Sequence, residues 1–279
     1  MKSSRCRTAA FTLIPALILY AGHSGAFEID SLSGRLVVTG SSTVAPLIGD
    51  IAKRFESLCA DCRIDVQSGG SSRGIADVRK GLADVGMVSR DLNPAEDDLD
   101  GHPLVRDGIA MIVNPSAATE ALDDDQIRRI YTGEIESWDA VGGAEEQITV
   151  VNKAEGRSTL DVFLDYTDLE IEQIEPDVVI GENEQGIKYV STAPGSIGYV
   201  SIGAALYAVE IGLPLKVLPL GPVDVTIENI AKGDYSAVRA LNLVTSGEVE
   251  DLAQAFIDYA SSEEVWDLVE SYYFVPITH

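Results

Sequence analysis

Positive charge is scarce in this chain, with 20 Lys and Arg against 45 Asp and Glu in 279 residues. Without Lys2, Arg5 and Arg7 the balance is 17 to 45, a net charge of −28. Polyanions are repelled by such a molecule, which excludes nucleic acid and anionic membrane faces as partners. Histidine is nearly missing: beyond residue 26 only His102, which precedes a proline, and the terminal His279 remain. A serine hydrolase needs a histidine base, so nucleophilic catalysis has little to work with. No apolar run after residue 26 is long enough for a membrane helix. The acidic groups Asp97-Asp98 and Asp123-Asp124-Asp125 lack the D-x-D-x-D-G pattern of calcium loops and read as solvated faces and a helix cap. Neither a metal nor a cofactor is expected.

The first 26 residues have the three parts of a signal peptide: a basic start, the apolar stretch from Ala9 to Ala21, and a small-residue cleavage site at Ser24-Gly25-Ala26. The expected product is a soluble, exported protein that begins near Phe27. In that oxidising setting Cys59 and Cys62, a C-x-x-C that follows a helix rather than opening one, are expected to form a small structural disulfide. Zinc would need two more ligands, and none is nearby in sequence.

Strands and helices alternate along the rest. Leu36 to Thr39 reads as a strand, and Val44, Leu47, Ile48, Ile51, Phe55 and Leu58 follow at helical spacing. Ile64 and Val66 alternate as a strand, Ile75, Val78 and Leu82 mark a helix, and Asp84 to Met87 another strand. A second series runs through Ile109 to Val113, a helix capped at Asp123, Ile148 to Val151, Val178 to Ile180 and Ile197 to Val200. After Gly203 strands return, then two C-terminal helices. The expected class is α/β with mostly parallel sheets flanked by helices. The chain divides into two lobes, 27–113 plus 204–279 and 114–203, joined by two crossings with a ligand cleft between.

Four Gly/Ser turns follow strands and open helices: GSST (Gly40 to Thr43), SGGSSRG (Ser68 to Gly74), VSRD (Val88 to Asp91) and KAEGRST (Lys153 to Thr159). Each aims backbone N–H groups, hydroxyls and a helix N-terminus at one sheet edge, an arrangement suited to a small oxyanion. The global field opposes an anion, so binding must rest on short-range hydrogen bonds. A competing reading takes Gly70-Ser71-Ser72-Arg73-Gly74 as a G-x-S-x-G nucleophile elbow, with Ser71 as the nucleophile of a hydrolase.

Seven segments in order resemble the phosphate-binding proteins of phosphate ABC transporters. They are GSSTVAPL, GGSSRGIADV, ADVGMVSR, IYTGEIESWDAVGG, VVNKAEGRSTLDVF, GSIGYVSIG and YSAVRALNLVT. The resemblance implies a two-lobed periplasmic binding protein that closes on a dehydrated phosphate, delivers it to a membrane permease and performs no chemistry. It also implies roles for Thr43, the Val44 amide and Ser71, and puts Ser89 where some members carry an aspartate that accepts the phosphate's proton. In the second lobe the family pattern is a basic residue followed by Gly-Ser-Gly-Thr. Lys153 takes the basic place, Gly156 and Thr159 match, and Arg157 and Ser158 replace the middle pair. The candidate ligand-binding residues are thus Ser42, Thr43, Val44, Ser71, Ser72, Ser89, Arg90, Lys153, Arg157, Ser158 and Thr159.

Two side chains are left with alternatives. Arg157 is expected to add a bidentate contact to the anion, the alternative being outward pairing with local carboxylates. Arg90 either touches the anion or braces its turn. The ligand is expected to be inorganic phosphate, with sulfate, molybdate or a phosphonate as the alternatives. A serine can donate or accept where an aspartate only accepts, which relaxes discrimination against a fully deprotonated anion. The chain is expected to be monomeric.

Overall fold

A computed structural model describes residues 29–278; the signal peptide expected over 1–26 and the terminal His279 lie outside them. Gly34–Gly40 (β1), Ala45–Leu58 (α1), Cys62–Ser68 (β2), Ser71–Arg79 (α2) and Val85–Val88 (β3) open the chain, with β1 parallel to both β2 and β3. The apolar stripe of α1 is its buried face: Leu47, Ile48, Ile51 and Phe55 are shut from water. Each such side chain contributes roughly 1.5–3 kcal/mol on burial, which fixes α1 against the sheet. Leu58, last in the stripe, is exposed beside the disulfide that joins Cys59 to Cys62.

Asp100–Val113 (β4) is one long strand of which the sequence showed only the apolar half, because Asp100, His102, Pro103, Arg106 and Asp107 interrupt the rest. Asp124–Tyr131 (α3) follows, with the Asp123 side chain accepting from the Gln126 amide at 2.8 Å. Thr149–Lys153 (β5), Ser158–Thr167 (α4), Val178–Ile180 (β6), Asn183–Thr192 (α5) and Ser196–Ser201 (β7) repeat the parallel plan, with β5 between β6 and β7. Ile202–Glu210 (α6) intervenes before the strands expected after Gly203. Lys216–Leu218 (β8), Ile227–Lys232 (α7), Val238–Thr245 (β9), Asp251–Ala260 (α8), Trp266–Ser271 (α9) and Val275–Pro276 (β10) complete it.

The strand order is β2-β1-β3-β9-β4-β7-β5-β6, with β8 and β10 on β4. Its two flanks are parallel; β4 and β9 run antiparallel to each other at the centre. The apolar residues gather on either side of that centre. One core holds α1, α8 and β1 with Leu104, Val105, Leu241 and Leu243; the other holds α3, α4 and β7 with Ile109, Met111 and Ala237. The central strands β4 and β9 therefore serve both lobes and form the crossings.

The stretch 204–237 was expected with the first lobe, but it packs on the second. Leu218, Leu220, Ile230 and Tyr235 lie in the second core. The Tyr235 hydroxyl donates to the Ile109 carbonyl and accepts from the Leu220 amide, both at 2.9 Å, and so ties this stretch to β4. The apolar contacts of this stretch thus stay with the second core until β9, where Leu241 and Leu243 join the first.

Candidate functional site

The turns after β1, β2 and β3 are knit together by their own hydroxyls. Gly40 has φ +136°, and a Cβ there would come within 2.3 Å of the Met87 carbonyl, so only glycine lets this turn lie against β3. Ser41 Oγ shares a short hydrogen bond with Ser89 Oγ and accepts from the Thr43 amide at 3.2 Å. Ser71 opens α2, and its Oγ accepts from the Ser89 amide at 3.1 Å. Val44, wholly buried, immediately precedes α1.

The second lobe supplies Lys153 from the end of β5, Ser158 and Thr159 from the first turn of α4, and Asn183 from the first turn of α5. The two sides touch. Ser158 Oγ hydrogen-bonds Ser71 Oγ, the Ser72 amide donates to the Gly156 carbonyl at 3.3 Å, and Asn183 Nδ2 donates to Thr43 Oγ1 at 3.3 Å. Gly70, at φ +97°, permits this approach: a Cβ would stand 2.7 Å from the Gly156 carbonyl.

Arg239 sits at the back, on β9. Its Nη1 donates to Thr159 Oγ1 at 3.1 Å, and its Nη2 reaches Asp107 Oδ2 at 3.0 Å and Thr43 Oγ1 at 3.5 Å. Its Nε is buried with no partner. Hydroxyls and amides from the first turns of α2, α4 and α5 and from the turn before α1 thus meet Lys153 and Arg239 in one buried, hydrogen-bonded cluster. Helix N-termini carry unpaired amides and the positive end of the helix dipole, so such a convergence favours an anion.

Its electrostatics are local. Asp107 offsets Arg239, but Lys153, 2% exposed, donates at 3.0 Å only to the neutral Asn183 Oδ1. Burial, with the nearby Arg239 guanidinium adding to it, pushes the Lys153 ammonium down to about 7. A buried cation without a counter-charge is costly, and an anion beside it would repay that cost.

Thr43, Ser71, Ser89, Lys153, Ser158 and Thr159 are all buried and brought together here. The side chains of Ser42 and Ser72 are not shut in, and Ser72 contributes its amide to the contact between the lobes. The two arginines turn away. Arg157 Nη1 pairs with Glu182 Oε1 at 2.8 Å, which is the outward alternative, because a carboxylate at the start of α5 lies closer to hand. Arg90 grips Glu96 with two bonds of 2.7 and 2.8 Å and reaches Asp161 at 3.1 Å, thereby bracing its turn against α4. As for the nucleophile elbow, the Ser71 hydroxyl is engaged by Ser158 and the Ser89 amide, while His102 bonds Thr245 at 3.2 Å on the β4–β9 ladder.

Sequence reasoning missed Asn183, Arg239 and Asp107. Arg239 had a signal, being the only charge in its strand, whereas Asp107 follows Arg106 and was lost among the polar residues of β4. Asn183 had none, because it follows the unremarkable run Gly181-Glu182.

Residues 25–264 match the family model of the PBP superfamily domain. The phosphate-binding protein PstS of Bacillus subtilis is 30% identical over 285 aligned residues, which span 97% of this chain and 92% of that protein. Among solved structures, a Clostridium perfringens chain described as a phosphate ABC transporter substrate-binding protein, with bound phosphate, superposes with a TM-score of 0.81. It is 27% identical, and the match covers 88% of this chain and all of the other. An ABC-type phosphate transport receptor from Vibrio cholerae superposes at 0.73, also at 27% identity, over 87% of this chain and all of the receptor. No helix among the described residues is long and apolar enough to cross a membrane. The chain belongs to the PBP superfamily and, within it, to the PstS family.

Proposed function

We propose that this protein binds inorganic phosphate between its lobes and delivers it to a membrane-embedded ABC import permease, as an exported receptor that performs no chemistry. The reading rests on one observation: in a strongly acidic chain, hydroxyls at the starts of four helices converge on two buried basic side chains, Lys153 and Arg239. Such a buried cluster strips water from the anion, which strengthens each hydrogen bond to it. The lobes, 29–107 with 239–278 and 108–238, would close about β4 and β9.

The ligand set in this reading is Thr43, the Val44 amide, Ser71, Ser89, Lys153, Ser158 and Thr159, with Asn183 and Arg239 added. Arg90 and Ser72 serve closure instead, and Arg157 braces the turns before α4 and α5 within the second lobe. The lack of a free carboxylate beside Ser89 favours a second reading, that a fully deprotonated oxyanion such as sulfate is also accepted. Thermal-shift assays of the mature chain with phosphate, arsenate, sulfate and molybdate test both. Stabilisation by phosphate and arsenate is expected, and no shift with any of the four would contradict the reading.

A further inference from the structure

We propose that Lys153 is the proton-handling group of this site, taking up a proton as the anion enters, so that the empty site holds a neutral amine and the filled one an ammonium–anion pair. The proposal rests on the phosphate reading above and concerns where the proton goes.

The geometry around Nζ carries the argument. Lys153 ends β5, is almost wholly buried and among the described residues forms no ion pair. From α5, Asn183 accepts its hydrogen bond; Glu182 beside it is committed to Arg157 of the α4 turn, and Glu184 is exposed. From β9 comes the Arg239 guanidinium, and from β4 the Asp107 carboxylate, held 3.0 Å from Arg239. From β7, the Tyr199 hydroxyl accepts from the Lys153 backbone amide and donates to Asn152. No carboxylate hydrogen-bonds Nζ, Glu182 and Glu184 act on it only without contact, and the Arg239 guanidinium opposes its charge. An ammonium there is therefore disfavoured until an anion arrives, in accord with its lowered proton affinity.

The balance is simple. Above neutrality the empty site holds R–NH2, and hydrogen phosphate arrives as a dianion. One proton from solvent ends on nitrogen as R–NH3+, the hydrogen phosphate keeps its own, and no other bond changes. An opposite charge at contact distance raises such a pKa by about 1–3 units. Affinity for a dianion should then fall by up to tenfold per pH unit above about 7, until the filled site's own pKa is passed. Ser89 cannot act as the acceptor-only group that an aspartate would be, so the anion's charge is met by a titrating amine rather than sensed through its proton.

The test is calorimetric titration of phosphate into the mature chain at about pH 8.5 in two buffers of different ionisation enthalpy, which counts protons taken up. The native protein should take up between about 0.2 and 0.9 proton per anion, as a shift of about 1–3 units from about 7 requires at this pH. Lys153→Arg cannot be deprotonated and should bind with uptake near zero. Binding without uptake in the native protein overturns the proposal, as does equal uptake in the arginine variant, which would put the proton on the ligand. If the variant does not fold, the 13Cε resonance of Lys153 in the native chain decides: titration near neutrality without phosphate and well above it with phosphate is expected, and unchanged titration refutes the proposal. Absence of any phosphate binding would instead remove the functional reading itself.

Discussion

Asp107 on β4 and Arg239 on β9 are cross-strand partners in register, and their side chains pair at 3.0 Å with 0% and 2% exposure. The pair lies on the two strands common to both lobes. From there Arg239 reaches Thr43 of the first lobe and Thr159 of the second. Breaking a buried pair from one side leaves an uncompensated charge and costs about 3–5 kcal/mol. Asp107→Leu should therefore lose stability on that scale in urea unfolding. The double variant Asp107→Leu/Arg239→Met should recover much of the loss while failing to bind phosphate. A double variant as unstable as the single one would contradict this account of the pair.

Ser71 touches both Ser158 and the Ser89 amide, so its hydroxyl stands at the seam of the lobes. Ser71→Ala should cost about 1–3 kcal/mol of phosphate affinity, and some stability of the empty protein as well, because it leaves the buried Ser89 amide without its acceptor. Unchanged affinity by calorimetry would remove Ser71 from the ligand set.

Gly70 faces the Gly156 carbonyl across the cleft at φ +97°. Gly70→Ala meets both a left-handed backbone and a carbonyl 2.7 Å from its new methyl. A strained residue of this kind costs about 1–3 kcal/mol, here charged mainly to the closed form. Weaker phosphate binding and a larger radius of gyration with phosphate present are expected; native compaction in solution scattering would contradict the contact.

Arg90 joins Glu96 of its own lobe to Asp161 of the other. Because Asp161 is 38% exposed, this bridge is screened, and Asp161→Asn should lower affinity by no more than about 1 kcal/mol. Arg90→Ala should cost more, since it strands Glu96, which is 6% exposed. Equal losses for the two variants would show that the bridge to Asp161 is what matters.

Lys153 also sets a pH dependence for the empty protein. Its folded value of about 7 lies below the ordinary lysine value of about 10.4. Between those values the unfolded chain binds more protons, so this residue's penalty shrinks as pH rises from about 7 to about 10. Lys153→Met should therefore be more stable than the native protein at about pH 7, with the gap closing by about pH 10. A gap that stays constant across that range would refute the burial argument.

Much of this was legible because the signals were local. The α1 stripe from Val44 to Phe55 and the cap at Asp123 depend only on spacing and nearby groups, and the turns at Gly40 and Gly70 showed as glycines after strands, although the carbonyls they face, of Met87 and Gly156, are distant in sequence. The lobe assignment of 204–237 was not legible, because it depends on which core Leu218, Leu220 and Tyr235 reach through space. The fate of the arginines was hidden for the same reason. Arg157 meets Glu182 across the turns before α4 and α5, and Arg90 meets Asp161 only after the lobes are placed, whereas Arg239, which the sequence did not single out, lands near Lys153.

The most direct test is a crystal structure of the mature chain grown with phosphate. The account predicts one phosphate enclosed between the lobes, within hydrogen-bond distance of Ser71 Oγ, Lys153 Nζ and the Arg239 guanidinium. Phosphate bound elsewhere, or an enclosed phosphate held by Arg90 and Arg157 instead, would contradict it.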